Sequence, residues 1–395
     1  MAPTKTCLRY LEPWDGQTPR QGEKLPATDP RSPEHWLDVA FAKSFSESII
    51  RPFADRYFRA EVSGIDNIPS ARGAVIAMNH SGMGWPWDAV VFVHRVLAMR
   101  GYAREWMVRG FALPYFFTMP GLGPLVLRTG FYPASYQNLD RLLGEGELVL
   151  YFPEGVGGIG KGWKKRYQTQ TFHTSFVKTA AKWGAPLIPS VCLGGEELNP
   201  LATNIEGLAR MTGLPIFPLS PLQLALFPTW LSAALFVLPS RLRYHVGEPL
   251  RVNLDPKTAT EDDYRAAAEE LRVVMQGMID THKDEPAQNQ PPPPEDPNAW
   301  RYPWAAMDHA LAVMPFGWGA LYMRFWNAYH EAHGAPASDK PQYAPHPLTD
   351  AEQTAFLVPW AWLWPLAKHG RNLLDDRLGI AEAFGIKTKG KKETK

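Results

Sequence analysis

Leu148-Val149-Leu150-Tyr151-Phe152 is an unbroken apolar run that stops at Pro153-Glu154-Gly155. A strand with one face in water alternates apolar and polar residues. A run without alternation needs cover on both faces, as a parallel strand inside an α/β sheet has. Two further stretches share this character, Ala74-Val75-Ile76-Ala77-Met78 and Pro186-Leu187-Ile188-Pro189-Ser190-Val191. Between the last two runs the spacing turns helical. Gln137 to Gly144 reads as a short helix with Asn138, Asp140 and Arg141 on its polar side. Phe172 to Trp183 reads as a second, with Phe176, Val177 and Ala180 inward and Gly184 closing it. Strand, loop and helix alternate, so the expected fold class is α/β, with a mixed, mostly parallel sheet flanked by helices.

The rest of the chain divides by composition. Residues 1–32 carry Pro, Gly and charges without periodicity and read as a loosely ordered N-terminal arm. Residues 33–283 form the α/β domain with an N-terminal helix, which Ser32 caps and Pro33 opens. Its apolar positions include Trp36, Val39, Phe41, Ile49, Ile50 and Phe53, and Pro52 divides or kinks it. Phe58 to Val62 and Arg243 to Val246 alternate as strands, and Pro124 to Arg128 suits a short strand. Glu261 to Ile279 is an amphipathic helix with Tyr264, Ala267, Ala268, Leu271 and Met275 on one side. Residues 284–299 are a Pro-rich linker, and 300–395 a Trp-rich, mainly helical extension that ends in a basic tail.

A net charge of +1 argues neither for nor against nucleic acid, and no nucleic-acid partner is expected. Cys7 and Cys192 are too few for a disulfide framework, and the N-terminus lacks the apolar core of a signal peptide. Met211 to Pro239 holds no charged residue, but its prolines argue against a continuous spanning helix. It reads either as an apolar patch that meets a bilayer or as a Pro-rich loop over the core. Fifteen tryptophans, several between Trp300 and Trp364, suit a surface that is apolar on one side and wet on the other.

The chemistry centres on Val75 to Phe92. The apolar run breaks into Asn79-His80-Ser81-Gly82, and Asp88 follows His80 by eight positions at the start of a second apolar run. This is strand, tight loop, helix, and a loop at the C-terminal end of a strand is where α/β proteins place function. His80 suits a general base and Asp88 a carboxylate that fixes its tautomer. The plainer alternative makes His80 a turn residue and Asp88 an ordinary first-turn helix residue. Gly155-Val156-Gly157-Gly158-Ile159-Gly160-Lys161 matches G-x-G-x-x-G and the glycine and lysine positions of a P-loop. However, position 162 is Gly where magnesium would need Ser or Thr, and Thr171 to Lys182 offers no acid for a ribose. The loop with Lys161, Lys164, Lys165 and Arg166 suits an anionic group such as a phosphate. His330-Glu331-Ala332-His333 lacks a clear third ligand, so no metal is expected. No G-x-S-x-G elbow marks a serine hydrolase.

Taken in order, Asn79-His80 with Asp88, the Gly130 to Ser135 loop, Phe152-Pro153-Glu154-Gly155 and Ala185-Pro186-Leu187-Ile188-Pro189 resemble the four blocks of the PlsC-type glycerolipid acyltransferases. Val62 to Pro69 and Val246-Gly247-Glu248-Pro249 are similar to flanking parts of that family, and the resemblance spans about Phe58 to Ile279. It departs in two places. Seven residues separate His80 from Asp88 where the family has four, and Ser135 stands where the second block carries an Arg for an acceptor phosphate. The second departure is similar to the branch acting on mono- or diacylglycerol. The resemblance implies lipid metabolism at the cytoplasmic face of a membrane, with the protein peripheral or monotopic. It implies acyl transfer from an acyl thioester, acyl-CoA or acyl-ACP, to a lipid hydroxyl, with no cofactor beyond that co-substrate. His80 and Asp88 would be catalytic. Glu154, Gly155, Ser135, Lys161, Lys164, Lys165 and Arg166 would bind substrate, Glu154 holding the acceptor's head or supporting the loop. Amides around Gly155 to Gly158 would face the oxyanion. The rival readings are a lipid-binding protein without catalysis and a nucleotide-dependent enzyme.

Overall fold

The computed structural model describes residues 6–10, 37–51, 53–69, 73–81, 86–118, 122–200, 202–207, 218–220, 237–238, 240–285, 325, 329–330 and 332–333. The strands are β1 (Leu8–Tyr10), β2 (Glu61–Ser63), β3 (Ala74–Met78), β4 (Val108–Ala112), β5 (Phe131–Pro133), β6 (Leu148–Tyr151), β7 (Leu187–Leu193), β8 (Thr203–Asn204), β9 (Pro218–Leu219), β10 (Arg243–Val246) and β11 (Leu250–Val252). The α-helices are α1 (Val39–Phe45), α2 (Trp87–Met99), α3 (Leu122–Arg128), α4 (Tyr136–Glu145), α5 (Val156–Ile159), α6 (Ser175–Trp183) and α7 (Glu261–His282).

The three apolar runs of the sequence lie together as the parallel neighbours β7, β3 and β6, and β4 and β5 continue the parallel set beyond β6. On the other side β10 and β11 both pair antiparallel with β7, at different places along it. Pro189 falls between them, where its missing N–H interrupts neither ladder, and its carbonyl accepts from Gly247. Every residue of β3 is buried, which explains its lack of alternation. Ala74, Ile76 and Met78 face a core shared with α1 and α2, and Val75 and Ala77 face one built with α4, α6 and α7. The architecture is α/β, a mixed, mostly parallel sheet between two helical layers, as the run pattern predicts.

Helix α7 buries Tyr264, Ala267, Ala268, Leu271, Met275 and Ile279, the face expected from the sequence, and starts with a Thr260–Asp263 capping box. Its Glu270 accepts from the amides of Cys7 and Leu8, and β1 pairs with β11, so part of the expected loose arm is an edge strand.

Pro124 to Arg128 is helical, in α3, where a strand is expected. A short apolar run does not distinguish the two forms. Arg128 at its end reaches Asp38 at 2.6 Å and His330 Nε2 at 3.0 Å, with its guanidinium 3.9 Å from the Phe41 ring centroid. Asp38 is also the N-cap of α1, accepting from the Phe41 amide. The expected helix start at Ser32 and Pro33, Pro52, most of Met211 to Pro239, and the linker beyond Glu285 lie outside the described residues. So does the C-terminal extension apart from residues 325, 329–330 and 332–333, where Phe325 and Tyr329 pack on Phe41 with ring centroids 5.5 and 5.0 Å apart. Among the described residues no helix is long and apolar enough to cross a membrane.

Candidate active site

Because β3 and β6 are parallel neighbours, with Ala77 opposite Tyr151, the loops that follow them leave the sheet side by side. Asn79 first prolongs the sheet. Its Nδ2 donates to the Cys192 carbonyl at 3.1 Å and its Oδ1 accepts from the Cys192 amide at 2.7 Å. The side-chain amide does what one more backbone pair would do, and so fixes the direction in which the chain enters His80.

His80 Nδ1 lies 2.8 Å from Asp88 Oδ2. Asp88 is fully buried and also accepts from the amides of Ser81, at 3.0 Å, and Ala89, at 2.9 Å. The start of α2 is held by Trp87, packed on Phe53 and Phe58, and by Tyr244, whose hydroxyl donates to the Asp88 carbonyl at 2.9 Å. The longer spacing between histidine and aspartate therefore closes onto a direct contact, with Gly82 to Trp85 outside the described residues. Burial by itself pushes the Asp88 carboxyl up, but His80 and the two amides outweigh it and hold the group below its usual range. A carboxylate only accepts, so Nδ1 carries the proton, and in the neutral ring Nε2 presents its lone pair. His80 Nε2 has no hydrogen-bond partner among the described residues.

Glu154, 2 % exposed, supports the loop. Its Oε2 accepts from the His80 amide at 2.9 Å and its Oε1 from the Gln170 amide at 2.5 Å. The His80 ring stacks on Phe152 at 4.1 Å. A Cβ on Gly158 would stand 2.7 Å from Glu154 Oε2 and 2.8 Å from His80 Cβ, so this glycine is a steric requirement. The role of Asn79 and the stacking of Phe152 escape a reading of the sequence, since each depends on a partner strand far along the chain.

Other expected site residues fall elsewhere. Lys161 is not offered to a phosphate. It is buried in an ion pair with Glu196 at 2.8 Å and donates to the Gln168 carbonyl. Burial still raises Glu196 despite that lysine. Lys164, Lys165 and Arg166 are exposed, and the Arg166 guanidinium lies 4.5 Å from the Trp163 ring centroid. Ser135 caps α4, its Oγ accepting from the Asn138 amide at 3.1 Å. Gly155, at φ +54°, makes the turn into α5. The amides of Gly155, Gly157 and Gly158 donate to carbonyls of their own turn, which removes them as ready-made oxyanion donors.

Away from this site, His245, His282 and Glu285 place possible metal-ligating atoms within 4.8 Å of one another. The two rings stack at 3.8 Å and 7°, however, so their in-plane lone pairs do not converge on one point. Arg243 also brings its charge to 3.6 Å from Glu285. His330 is engaged with Arg128, and His333 Nδ1 lies 2.9 Å from the Tyr329 carbonyl.

His80 and Phe152 form part of the wall of an apolar cavity of about 1040 Å³, including its solvent-open mouth. One face of α2, from Pro86 through Val90 and Val93 to Leu97, runs along it, and Phe45, Ile50, Phe116 and Phe131 close other sides.

Residues 59–193, which hold the parallel set β7, β3, β6, β4 and β5 and His80, Asp88 and Glu154, match the Acyltransferase family model. This segment is an acyltransferase-family domain. An uncharacterized protein of Mycobacterium leprae is 37% identical over 218 residues, which span 54% of this chain and 58% of that protein. An uncharacterized protein of Mycobacterium tuberculosis is 36% identical over 218 residues, 54% of this chain and 59% of that protein. The match thus spans less than two thirds of these relatives. The crystal structure of the 1-acyl-sn-glycerophosphate acyltransferase PlsC from Thermotoga maritima aligns at 18% identity and a TM-score of 0.39, covering 62% of this chain and 80% of that one. In the acyltransferase domain, the histidine block and the Phe-Pro-Glu-Gly block are the parts that meet at the cavity.

Proposed function

We propose that this protein moves a fatty acyl group from an acyl thioester, acyl-CoA or acyl-ACP, to a hydroxyl of a glycerolipid or lysophospholipid at a membrane surface. One observation carries the reading: a buried His80–Asp88 pair stands at the wall of an apolar cavity. An apolar lining suits a hydrocarbon chain, and the pair supplies the base that an alcohol nucleophile needs.

In this mechanism the acyl chain lies along α2 with its thioester carbonyl beside His80. The acceptor hydroxyl gives its proton to Nε2 as its oxygen attacks the carbonyl carbon. Asp88 stabilises the imidazolium that forms. Collapse breaks the carbon–sulfur bond, and the departing thiolate takes the proton from Nε2, so the products are an ester and a free thiol. Glu154 serves by holding the His80 amide. The exposed Lys164, Lys165 and Arg166 beside Trp163 suit the phosphates of the donor's carrier or an anionic membrane surface.

The test is thiol release by purified protein on liposomes. It uses a long-chain acyl-CoA or acyl-ACP with monoacylglycerol, diacylglycerol, lysophospholipid or no acceptor, and His80→Ala in parallel. Acceptor-dependent release that falls about 10²- to 10⁴-fold in the variant supports the reading. No release from either donor with any acceptor overturns it and leaves lipid binding without catalysis.

A further inference from the structure

Few polar side chains line the cavity. His80 belongs to the reaction site, and Thr129, just past the end of α3, donates to the carbonyls of Leu125 and Val126 in that helix. Ser46 and His94 are different. His94 is 3 % exposed and Ser46 6 %, and both line the cavity. Ser46 Oγ lies 2.6 Å from His94 Nδ1 and 3.1 Å from the Tyr102 hydroxyl, which itself lies 3.5 Å from His94 Nδ1. His94 Nε2 has no hydrogen-bond partner among the described residues. The atom keeps some accessible area although the residue is buried, so it is open to the cavity and can bond a polar group of whatever fills it.

The surrounding backbone is also unusual. Ser46 opens a π-helical turn, Ser46–Ile50, directly after α1. Tyr102 sits at φ +58°, a conformation that a bulky residue rarely adopts. Together these bring both hydroxyls to the imidazole.

We infer that His94 Nε2 is a recognition point for a hydroxyl carried in the middle of the acyl chain. The inference rests on the proposed function only in taking this cavity for the acyl site. A hydroxyl suits the atom better than other oxygen groups. If Tyr102 donates to Ser46 and Ser46 to Nδ1, Nε2 bears a proton and needs an acceptor. If Nδ1 donates to Ser46 instead, Nε2 needs a donor. A hydroxyl satisfies either arrangement, whereas a carbonyl or ether oxygen satisfies only the first.

Helix rise sets the position. His94 is six residues beyond Asp88 on α2, roughly 9 Å along the axis. Carbon–carbon bonds of about 1.5 Å at tetrahedral angles advance an extended chain by somewhat over ~1.2 Å per carbon. A carbonyl beside His80 therefore brings about the eighth carbon level with His94.

Calorimetric binding of hexadecanoic acid and its 2-, 8- and 16-hydroxy derivatives to the full-length protein tests this. The three isomers share the penalty of desolvating one hydroxyl, so position alone separates them. The native protein should bind the 8-hydroxy acid about fivefold more tightly than either other isomer. His94→Phe should abolish that difference, and His94→Gln, which restores a polar atom, should recover part of it. Should His94→Phe not fold, Ser46→Ala, which frees Nδ1 and unsettles the tautomer, should reduce the same ratio. Isomers that bind alike in the native protein, a preference unchanged in His94→Phe, or no binding by any of the four acids overturns the inference. Because the readout is equilibrium binding, it stands apart from turnover. If thiol release is absent but the positional preference is present, the proposed activity fails and the recognition point survives.

Discussion

Asp88 accepts from His80 Nδ1 and from two backbone amides, so its negative charge is fixed in place before any substrate arrives. Asp88→Asn offers N–H donors in that position and favours the tautomer with its proton on Nε2, which removes the lone pair. In the thiol-release assay kcat should fall by about 10²-fold or more with little change in KM. Glu154→Gln makes a different error. Both carboxylate oxygens face backbone N–H donors, and an amide at this site sets its own donors against one of them. Stability measured by urea titration should fall by about 1–3 kcal/mol, with activity reduced because the His80 amide loses its anchor. The glycines of the following turn divide sharply. Gly157→Ala adds a methyl where nothing lies within 4 Å and should leave the melting temperature nearly unchanged, whereas Gly158→Ala pushes on Glu154 and His80 and should lower both stability and kcat. At this scale the sequence shows which residues follow strand ends, which makes His80 and Glu154 legible, and which open the next helix, which makes Asp88 so. It did not show which cation is exposed. Lys161 and Lys164 look equivalent in a basic loop, and only the position of Glu196 buries the first.

At the scale of elements, strands with cover on both faces were readable, because burial on two sides removes alternation and nothing else in a soluble chain does so as readily. The antiparallel additions were less readable. β1 has three residues and is fixed by Glu270, more than 250 positions away, and no local pattern encodes that contact. α3 reads equally as a strand because a short apolar run fits either form, and its helical end brings Arg128 to Asp38 and the Phe41 ring. That contact is asymmetric. Asp38→Ala removes the cap of α1 and takes its carboxylate from a guanidinium that is only 2 % exposed. The loss of stability in urea should exceed the about 1 kcal/mol of a cap alone. Arg128→Met, which fills most of the volume and leaves the half-exposed Asp38 in reach of water, should be the milder change. Equal losses from the two would place the energy in packing on Phe41 instead.

For the whole molecule, the buried histidines set the response to acid. His94 is pulled down to about 4, by burial first and then by Arg95 and Arg51, with Asp55 acting the other way. His245 is also pulled down to about 4, by burial and then by His282. In the unfolded chain each titrates near ~6.5. As pH falls from that value towards 4, the unfolded state takes up protons that the folded state refuses, so stability drops across this window and is unaffected by these groups above it. For His94, which is almost wholly buried, the loss amounts to about 3 kcal/mol over the window. His245 adds less because it is partly open to solvent. The Asp88 carboxyl acts lower on the scale. Its stabilisation is present above the unfolded carboxylate value of ~3.9 and is lost as pH falls through its depressed folded value. Urea titrations between neutral pH and pH 4.5 should therefore show the native protein weakening well before Asp88 protonates. His94→Phe, whatever its stability at neutral pH, should give a flatter curve over the same range. Parallel curves for the two proteins would mean that His94 takes up its proton in the folded state near the ordinary value, and that the cavity around it is wetter than its apolar lining implies.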